Sequence, residues 1–377
     1  MVVKKNLTLC KRLHFSNDQL LLPLRTTIQH IADELNLTPA TVSRALNNHP
    51  RISAETKRVV NETAVRLNYR RNKIASSLRT GKSHTIGVII PSARINFFGS
   101  VVHGIESIAS EYGYHTLIYQ SEETMELEIQ AIEAFLGARV DGILASLAKQ
   151  DTDFTHYTEL KKKNVPVVLF DRANDSLNIP SVVIDDYKGG YYATEHLIKQ
   201  GYKRIAHLAG PQWFQTFQNR LQGYKDALKA YNYPQDESLV YIGDISIEKG
   251  KKAADYFMSL PESPDAVFAV EDFSALGLLK QYKEKGIKVP EEIGIIGFAN
   301  EEFDEHISPT LSSIDQQTVQ MGREAFTMLL GLIEDKPNVS IESKIVLEPI
   351  PFYRESSMRK HQHHVDHHKD KTSVKTF

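Results

Sequence analysis

Residues 27–78 constrain this chain more than any other stretch. Ile28, Ile31 and Leu35 recur at helical spacing with Ala32 between them, which predicts a short amphipathic helix. Asn36 follows where the chain must turn sharply, and asparagine tolerates the left-handed conformation better than most residues that carry a Cβ. Thr38 then stands as an N-cap, with Pro39 at the first helical position. In the helix PATVSRAL, Val42 and Leu46 lie one turn apart and are expected to face inward. Thr41, Ser43, Arg44 and Asn47 are left pointing out, all able to hydrogen-bond. Ser53 caps a third helix whose Val60, Ala64 and Leu67 share one side. Two short helices, a tight turn and a second helix with a polar outer face form helix–turn–helix grammar, and such a helix fits the major groove of B-DNA. The plain alternative is a helical hairpin inside a globular core.

Further motifs, in order, weigh against that alternative. TPATVSRALN is followed by RIS and ET, by NY and N at 68–72, by SLRTGKSHTIGVIIP, and by NFF at 96–98. From residue 26 to residue 353 the chain resembles the lactose-repressor and purine-repressor (LacI/GalR) family of bacterial transcription regulators. The resemblance implies a homodimer on double-stranded operator DNA, contacted here by Thr38, Thr41, Ser43, Arg44, Asn47, Asn72 and Leu78. It also implies that the KIASSL segment of the 71–82 linker folds into a hinge helix on DNA. Leu78 would then wedge into a central minor-groove step, a known way to kink DNA. The family usually has proline where Arg71 stands. Its loss frees φ in the linker, and the arginine adds a candidate phosphate contact.

Charge is segregated in the same direction. Residues 26–82 hold ten Lys/Arg against four Asp/Glu, and residues 1–25 hold five against one, within a chain of net charge −2. A basic front on an acidic body suits a nucleic-acid-binding end joined to a domain that avoids nucleic acid. The lone cysteine, Cys10, excludes an intrachain disulfide and suits a reducing cytoplasm. No apolar run reaches membrane-spanning length. The LLLPL run near residue 20 is too short for a signal-peptide core and is broken by Pro23, so residues 1–25 are expected to be a mobile extension.

From His84 the sequence alternates strand and helix. Strands are expected at 85–91, 115–120, 142–146 and 166–171, with helices at 97–113, 122–137 and 157–164 between them. A second series has helices at 186–200, 218–231, 248–260 and 274–285, and strands at 204–209, 239–242, 266–270 and 293–298. A helix at 317–333 and a final strand at 344–353 follow. The fold class is therefore α/β. A three-helix DNA-binding domain (26–70) is expected to precede a two-lobed body (83–355) of parallel sheets flanked by helices. The resemblance implies a hinge linker (71–82) between them and a periplasmic-binding-protein-like body. Residues 356–377 carry five histidines between His361 and His368 without defined zinc-site spacing, and are expected to be a disordered tail.

Ligands in open α/β sheets sit beyond the carboxyl ends of the strands, so two facing lobes place one ligand between them. The resemblance adds that the chain crosses between lobes three times. It also marks Arg220, ahead of GYKDAL, as the arginine that reaches the effector, the alternative being a surface-helix salt bridge. Phe97 and Phe98 occupy the loop at the cleft mouth, with a core role as the alternative for at least one. Arg172 and Asp185 follow strand ends. Three departures change the expected chemistry. The usual asparagine–aspartate pair is Glu271–Asp272, the usual aspartate after Gly297–Phe298 is Ala299 followed by Asn300, and an aromatic is replaced by Ile245. Trp213, Phe214 and Phe217 offer a substitute stacking platform. The effector set is thus Phe97, Phe98, Arg172, Arg220, Glu271 and Asn300. Glu271 is expected either to hold ligand hydroxyls or to pair with Arg220, and both cases favour a neutral sugar or sugar derivative over a phosphorylated one. No catalytic motif, metal site or cofactor is expected. A solute-binding protein without DNA regulation is the competing reading, and a sugar-processing enzyme the third.

Overall fold

The structure, a computed structural model, describes residues 26–69, 81–148, 153–334 and 343–359. It forms two compact units, residues 1–81 and 82–377.

In the first unit, α1 (Ile28–Leu35) ends at Asn36 in the left-handed region, φ 50°. Helix α2 (Pro39–Leu46) begins with the Thr38 hydroxyl accepting from the Thr41 N–H, and α3 (Ala54–Arg66) with the Ser53 hydroxyl accepting from the Thr56 N–H. Ile31, Ala32, Val42, Ala45, Val60 and Ala64 are buried together. Ala45, not Leu46, fills the second inward position of α2; Leu46 is half-buried at the edge of that core.

The second unit has two lobes built alike. In lobe 1, six parallel strands lie in the order β11-β5-β4-β3-β1-β2. These are β1 (Thr85–Ile90), β2 (His115–Gln120), β3 (Gly142–Ala145), β4 (Val167–Phe170), β5 (Ser181–Ile184) and β11 (Lys344–Leu347). Alternation along β1 sends Ile86, Val88 and Ile90 into one apolar layer and Ile89 into the other. Helices α4 (Asn96–Glu111) and α11 (Thr318–Glu334) cover the first layer; α5 (Met125–Ala138) and α6 (Thr155–Lys162) cover the second.

Lobe 2 has four parallel strands in the order β7-β6-β8-β9. They are β6 (Ile205–Ala209), β7 (Val240–Ile242), β8 (Ala266–Ala269) and β9 (Gly294–Ile296). Helices α7 (Asp186–Lys199) and α8 (Gln215–Ala230) cover one face, and α9 (Ile247–Ser259) and α10 (Asp272–Glu284) the other. Glycines let helix backbones touch in both lobes. A Cβ on Gly104 of α4 would lie 2.2 Å from Val319 O, and one on Gly190 of α7 would lie 2.3 Å from Arg220 O.

The chain passes between the lobes three times: into α7, out to α11, and back after β11. The 344–353 stretch is two strands, not the one expected from sequence. Strand β11 pairs with β5 in lobe 1, while β12 (Ile350–Phe352) pairs antiparallel with β10 (Ser313–Asp315) beside lobe 2. Pro349 removes a ladder donor where the strand would have to continue. No helix of the described residues is long and apolar enough to cross a membrane.

Candidate effector cleft and nucleic-acid interface

The outer face of α2 carries the polar residues that the sequence placed there. The Thr38 hydroxyl accepts from the Thr41 N–H at 3.2 Å and shares a hydrogen bond with the Thr41 hydroxyl at 2.9 Å. Ser43 is half-buried. Asn47 donates its Nδ2 to Ser43 O at 2.7 Å, so its amide is already engaged by its own helix. Arg44 is exposed at the far end. On α3, by contrast, Arg58 is bracketed by Glu55 at 2.6 Å and Glu62 at 2.9 Å, which raises its pKa and leaves it saturated. Asn72, Leu78, Arg71 and the KIASSL segment lie outside the described residues.

In the second unit a cleft of about 930 Å³ opens between the lobes. Its walls come from segments that follow strand carboxyl ends: 94–98 after β1, Asp171 and Arg172 after β4, 211–220 after β6, 244–248 after β7, Glu271 after β8, and Ala299 and Glu301 after β9. This is where an α/β sheet leaves its helix N-termini and loop backbone open to a ligand.

Arg172 stands between the lobes. Its Nη1 donates to Glu123 Oε2 at 2.7 Å. Its guanidinium lies 5.5 Å from the ring centre of Phe98 in lobe 1 and 4.9 Å from that of Phe214 in lobe 2. Phe98 is a member of the lobe 1 core and also forms part of the cleft wall. Asp171, beside it, is held at φ 59°, a left-handed conformation that a residue with a Cβ adopts at a cost. Burial pushes its carboxyl upward against the opposing pull of Arg172 and Arg220.

Arg220 reaches the cleft, but as a fully engaged group. Nε donates to Asp186 Oδ1 at 2.8 Å, Nη1 to Val270 O at 2.7 Å and Nη2 to Gln316 Oε1 at 3.0 Å. Its guanidinium covers Phe298 at 3.5 Å, and the side chain is 3% exposed. The arginine is therefore neither the surface-helix pair nor the partner of Glu271. It is half of a buried ion pair that Asp186 completes. Burial pushes Asp186 up to about 6, with Arg220 opposing the shift.

Glu271 lines the cleft from lobe 2. Its carboxylate caps α10, accepting from the N–H groups of Phe273 at 3.0 Å and Ser274 at 3.2 Å. Burial pushes it up to about 8, against those two hydrogen bonds. Asn300 is a correction, because it is not among the residues lining the cleft. Ala299 and Asn300 have φ of 138° and 55°, and this turn carries the Asn300 amide to Asp315 at 2.9 Å and to Arg354 at 2.7 Å. Asp185 likewise caps α7, accepting from the Lys188 N–H at 2.9 Å.

Trp213, Phe214 and Phe217 do line the mouth, with Trp213 68% exposed. Phe214 and Phe217 meet edge to face, with centroids 5.4 Å apart. Ile245 sits in the same wall. Asp171, Gln316, Glu301 and Phe273 also line the cleft and were missed from sequence. Asp171 is legible in LFDR, one position before Arg172 at the same strand end. Across the cleft, Asn96 Nδ2 of lobe 1 donates to Glu301 Oε2 of lobe 2 at 3.0 Å. Among the described residues no cluster of His, Cys, Asp or Glu could hold a metal ion.

Two family descriptions match the chain: "Bacterial regulatory proteins, lacI family" over residues 27–72, and "Periplasmic binding proteins and sugar binding domain of LacI family" over residues 83–356. Catabolite control protein A of Priestia megaterium is 33% identical over 327 residues, covering 86% of this chain and 97% of that protein. The HTH-type transcriptional repressor CytR of Escherichia coli (strain K12) is 34% identical over 308 residues, covering 82% of this chain and 90% of that one. Among solved structures, the transcriptional regulator CelR in complex with cellobiose superposes with a TM-score of 0.65 at 28% identity, covering 88% of this chain and 100% of that chain.

Proposed function

The chain belongs to the LacI family of bacterial regulatory proteins, and from that premise we propose how this particular regulator works. It binds a pseudo-palindromic operator as a homodimer through α2, and it takes a polyhydroxylated small molecule, a sugar or sugar derivative, in the interlobe cleft. Its targets are carbohydrate-utilisation genes, it acts in the cytoplasm, and it is not an enzyme. The single observation that carries the reading is the pairing of two surfaces in one chain. One is a capped, amphipathic α2 with a polar outer face ending in an exposed Arg44. The other is a 930 Å³ cleft walled by aromatic rings and by charged groups from both lobes.

Homodimerisation is supported by β2, an edge strand of the lobe 1 sheet whose Leu117 and Ile118 are 40% and 47% exposed. Exposed apolar side chains on an edge strand are a surface that a second copy would cover. We assign the DNA-binding domain to residues 26–70, the linker to 71–82 and the effector-binding body to 83–359. The boundary expected at 355 falls too early, because Ser356 and Ser357 are buried and Arg359 pairs with Asp265 at 3.2 Å. Leu78 as the minor-groove wedge and Asn72 as a DNA contact rest on resemblance to the family. Ligand that draws the lobes together would change the spacing of the two DNA-reading units, which is a coupling between two sites.

A gel shift with the protein's own upstream DNA, with and without sugars, tests the whole reading. We expect a salt-sensitive shift that a sugar modulates. Arg44→Ala should weaken specific binding by about 1–3 kcal/mol and relax preference at one base position. Unchanged affinity and salt dependence in Arg44→Ala would overturn the docking of α2. Tight sugar binding with no operator shift would favour a solute-binding protein.

A further inference from the structure

The two arginines deep in the cleft are already matched, while Arg94 at its mouth is exposed and lies 3.8 Å from Glu122. Arg220 is held by Asp186 at 2.8 Å and Arg172 by Glu123 at 2.7 Å. Towards the rim, Lys251 has Glu248 at 3.8 Å and Glu284 at 3.9 Å, and Lys280 is exposed. Glu271 stands apart from them. Its oxygens accept only backbone N–H groups, and the charged groups that bear on it most, Asp272 on its own helix and Glu301 on the neighbouring loop, are both acidic. From lobe 1, Asp171 adds a carboxylate 3.8 Å from an Arg172 that Glu123 already neutralises. Glu271 therefore faces the cleft with no ion-pair partner among the described residues.

The surrounding wall is aromatic. Phe273 follows Glu271 by two residues and Trp213 lines the same space, whereas Phe214 and Phe217 already face Arg172 at 4.9 Å and Arg220 at 5.6 Å. Ring faces attract a cation, and more strongly where water is excluded. A carboxylate set among rings, with acidic neighbours, suits an ammonium group. It suits a phosphate badly, because a dianion would meet Glu301 and would hold the Glu271 carboxyl in its protonated form, with no ion pair gained.

Building on the reading of the cleft as an effector site, we propose that the effector is a polyhydroxylated molecule carrying a primary amine, of which an amino sugar is the simplest kind, and that Glu271 binds its ammonium group against the aromatic wall. Hydroxyls would engage the remaining polar wall, including Gln316. Burial holds the Glu271 carboxyl mostly protonated near neutral pH. Binding an ammonium would return it to carboxylate, so one proton leaves Glu271 for solvent as the ion pair forms, and charge balances.

Calorimetry on the full chain at pH 7 tests this with glucosamine, galactosamine and mannosamine. Each is paired with its N-acetyl derivative and its parent hexose, with glucuronate and glucose 6-phosphate as acidic members. Titration in two buffers of different ionisation enthalpy counts protons. We expect one amine to bind at least ten-fold tighter than its N-acetyl and parent counterparts, with close to one proton released. Glu271→Gln, checked for folding by thermal unfolding, should lose that margin and that proton. A neutral or acidic sugar that binds as tightly as its amine overturns the proposal alone, as does Glu271→Gln with wild-type affinity and proton count. If no member of the panel binds while the protein still shifts its operator, both this proposal and the sugar-effector reading fall.

Discussion

The two lobes of the body are one architecture packed with different chemistry. Each is a parallel sheet with helices on both faces and a helix pair joined through glycine. Lobe 1 buries little that is polar. Glu128 is its one fully buried charged side chain among the described residues, and it is satisfied by the Ala148 N–H at 2.9 Å and His156 at 2.9 Å. Lobe 2 and its hinge bury Asp186, Arg220, Asp272, Asp304, His196 and His207. Lobe 2 also supplies most of the cleft wall. Buried ionisable groups bring directional bonds at the cost of desolvation. Lobe 1 is thus an apolar platform, while in lobe 2 the cleft wall and the buried polar network share residues such as Arg220 and Gln316.

The sharpest way to break that comparison is to remove a cation from each lobe. Arg220→Ala would strand Asp186 in the interior and leave Val270 O and Gln316 without their donor. Breaking a buried pair from one side costs about 3–5 kcal/mol. Arg172→Ala, in a more exposed pair with Glu123, should cost clearly less. Urea denaturation of both variants decides. Equal losses would mean that the lobes differ in composition but not in what holds them.

Where the lobes are alike, matched substitutions should hurt alike. Gly104→Ala drives a methyl into Val319 O in lobe 1, and Gly190→Ala drives one into Arg220 O in lobe 2. Both obstacles are backbone, so the helices must separate. Overpacking of this kind costs about 1–3 kcal/mol. Melting temperatures that fall together would support a shared design. A much larger fall for Gly190→Ala would show that the Arg220 pair amplifies backbone displacement.

The difference between the lobes also marks how far the sequence could be read. Helices and strands were legible because apolar periodicity reports burial directly: Ile86, Val88 and Ile90 alternate with Ile89, and all are buried. Asn36, Thr38 and Ser53 were legible because cap and turn residues act locally. The polar interior of lobe 2 was not legible, since its partners are far apart in sequence. Arg220 meets Asp186 across 34 residues and Gln316 across 96. Nothing in RLQGYKDAL specifies either. Asn300 was misplaced for a related reason: its direction is set by positive φ at two successive residues, which neither alanine nor asparagine announces. The split of 344–353 was hidden because a single β-rich run was shared between two sheets.

A smaller effect follows from acidity. Asp272 and Asp304 are both fully buried, and Asp304 has no hydrogen-bond donor directed at its carboxyl oxygens. Burial raises both; Asp272 repels Asp304 and raises it further, while a hydrogen bond from Asp304 opposes the rise at Asp272, so the pair retains a proton. Glu271 is raised to about 8 by burial. A carboxyl whose folded pKa lies above its unfolded value makes the folded state bind more protons, so stability falls as pH rises between the two. The buried histidines act oppositely: burial lowers His196 to about 4 and His207 to about 3, so stability falls as pH drops below the ordinary histidine range. Above pH ~6.5 only the carboxyl groups of this set act. The melting temperature of the body should therefore decline by roughly 5–10 °C from pH 6.5 to 9. Asp304→Asn should flatten that decline. A decline of the same slope in Asp304→Asn would remove the acid pair as its cause.

The smallest expected effect concerns the contact between the lobes. Asn96 Nδ2 donates to Glu301 Oε2 at 3.0 Å, from an exposed asparagine to a half-buried glutamate. A hydrogen bond of this kind contributes about 0.5–1.5 kcal/mol net. Asn96→Ala should leave the melting temperature of either lobe almost unchanged, because neither core touches that amide. It should act instead on the balance between open and closed lobes, which a ligand bridging the cleft must also shift. Glu301→Gln preserves an acceptor while removing charge, so it separates the hydrogen bond from the electrostatics around Glu271. Small-angle scattering of the wild type and the two variants reads the interlobe distance directly. We expect Asn96→Ala to expand the body and Glu301→Gln to expand it less. If Asn96→Ala leaves the scattering unchanged but lowers the melting temperature by several degrees, that contact belongs to the folding of a lobe, and the separation drawn between platform and ligand-bearing half is too clean.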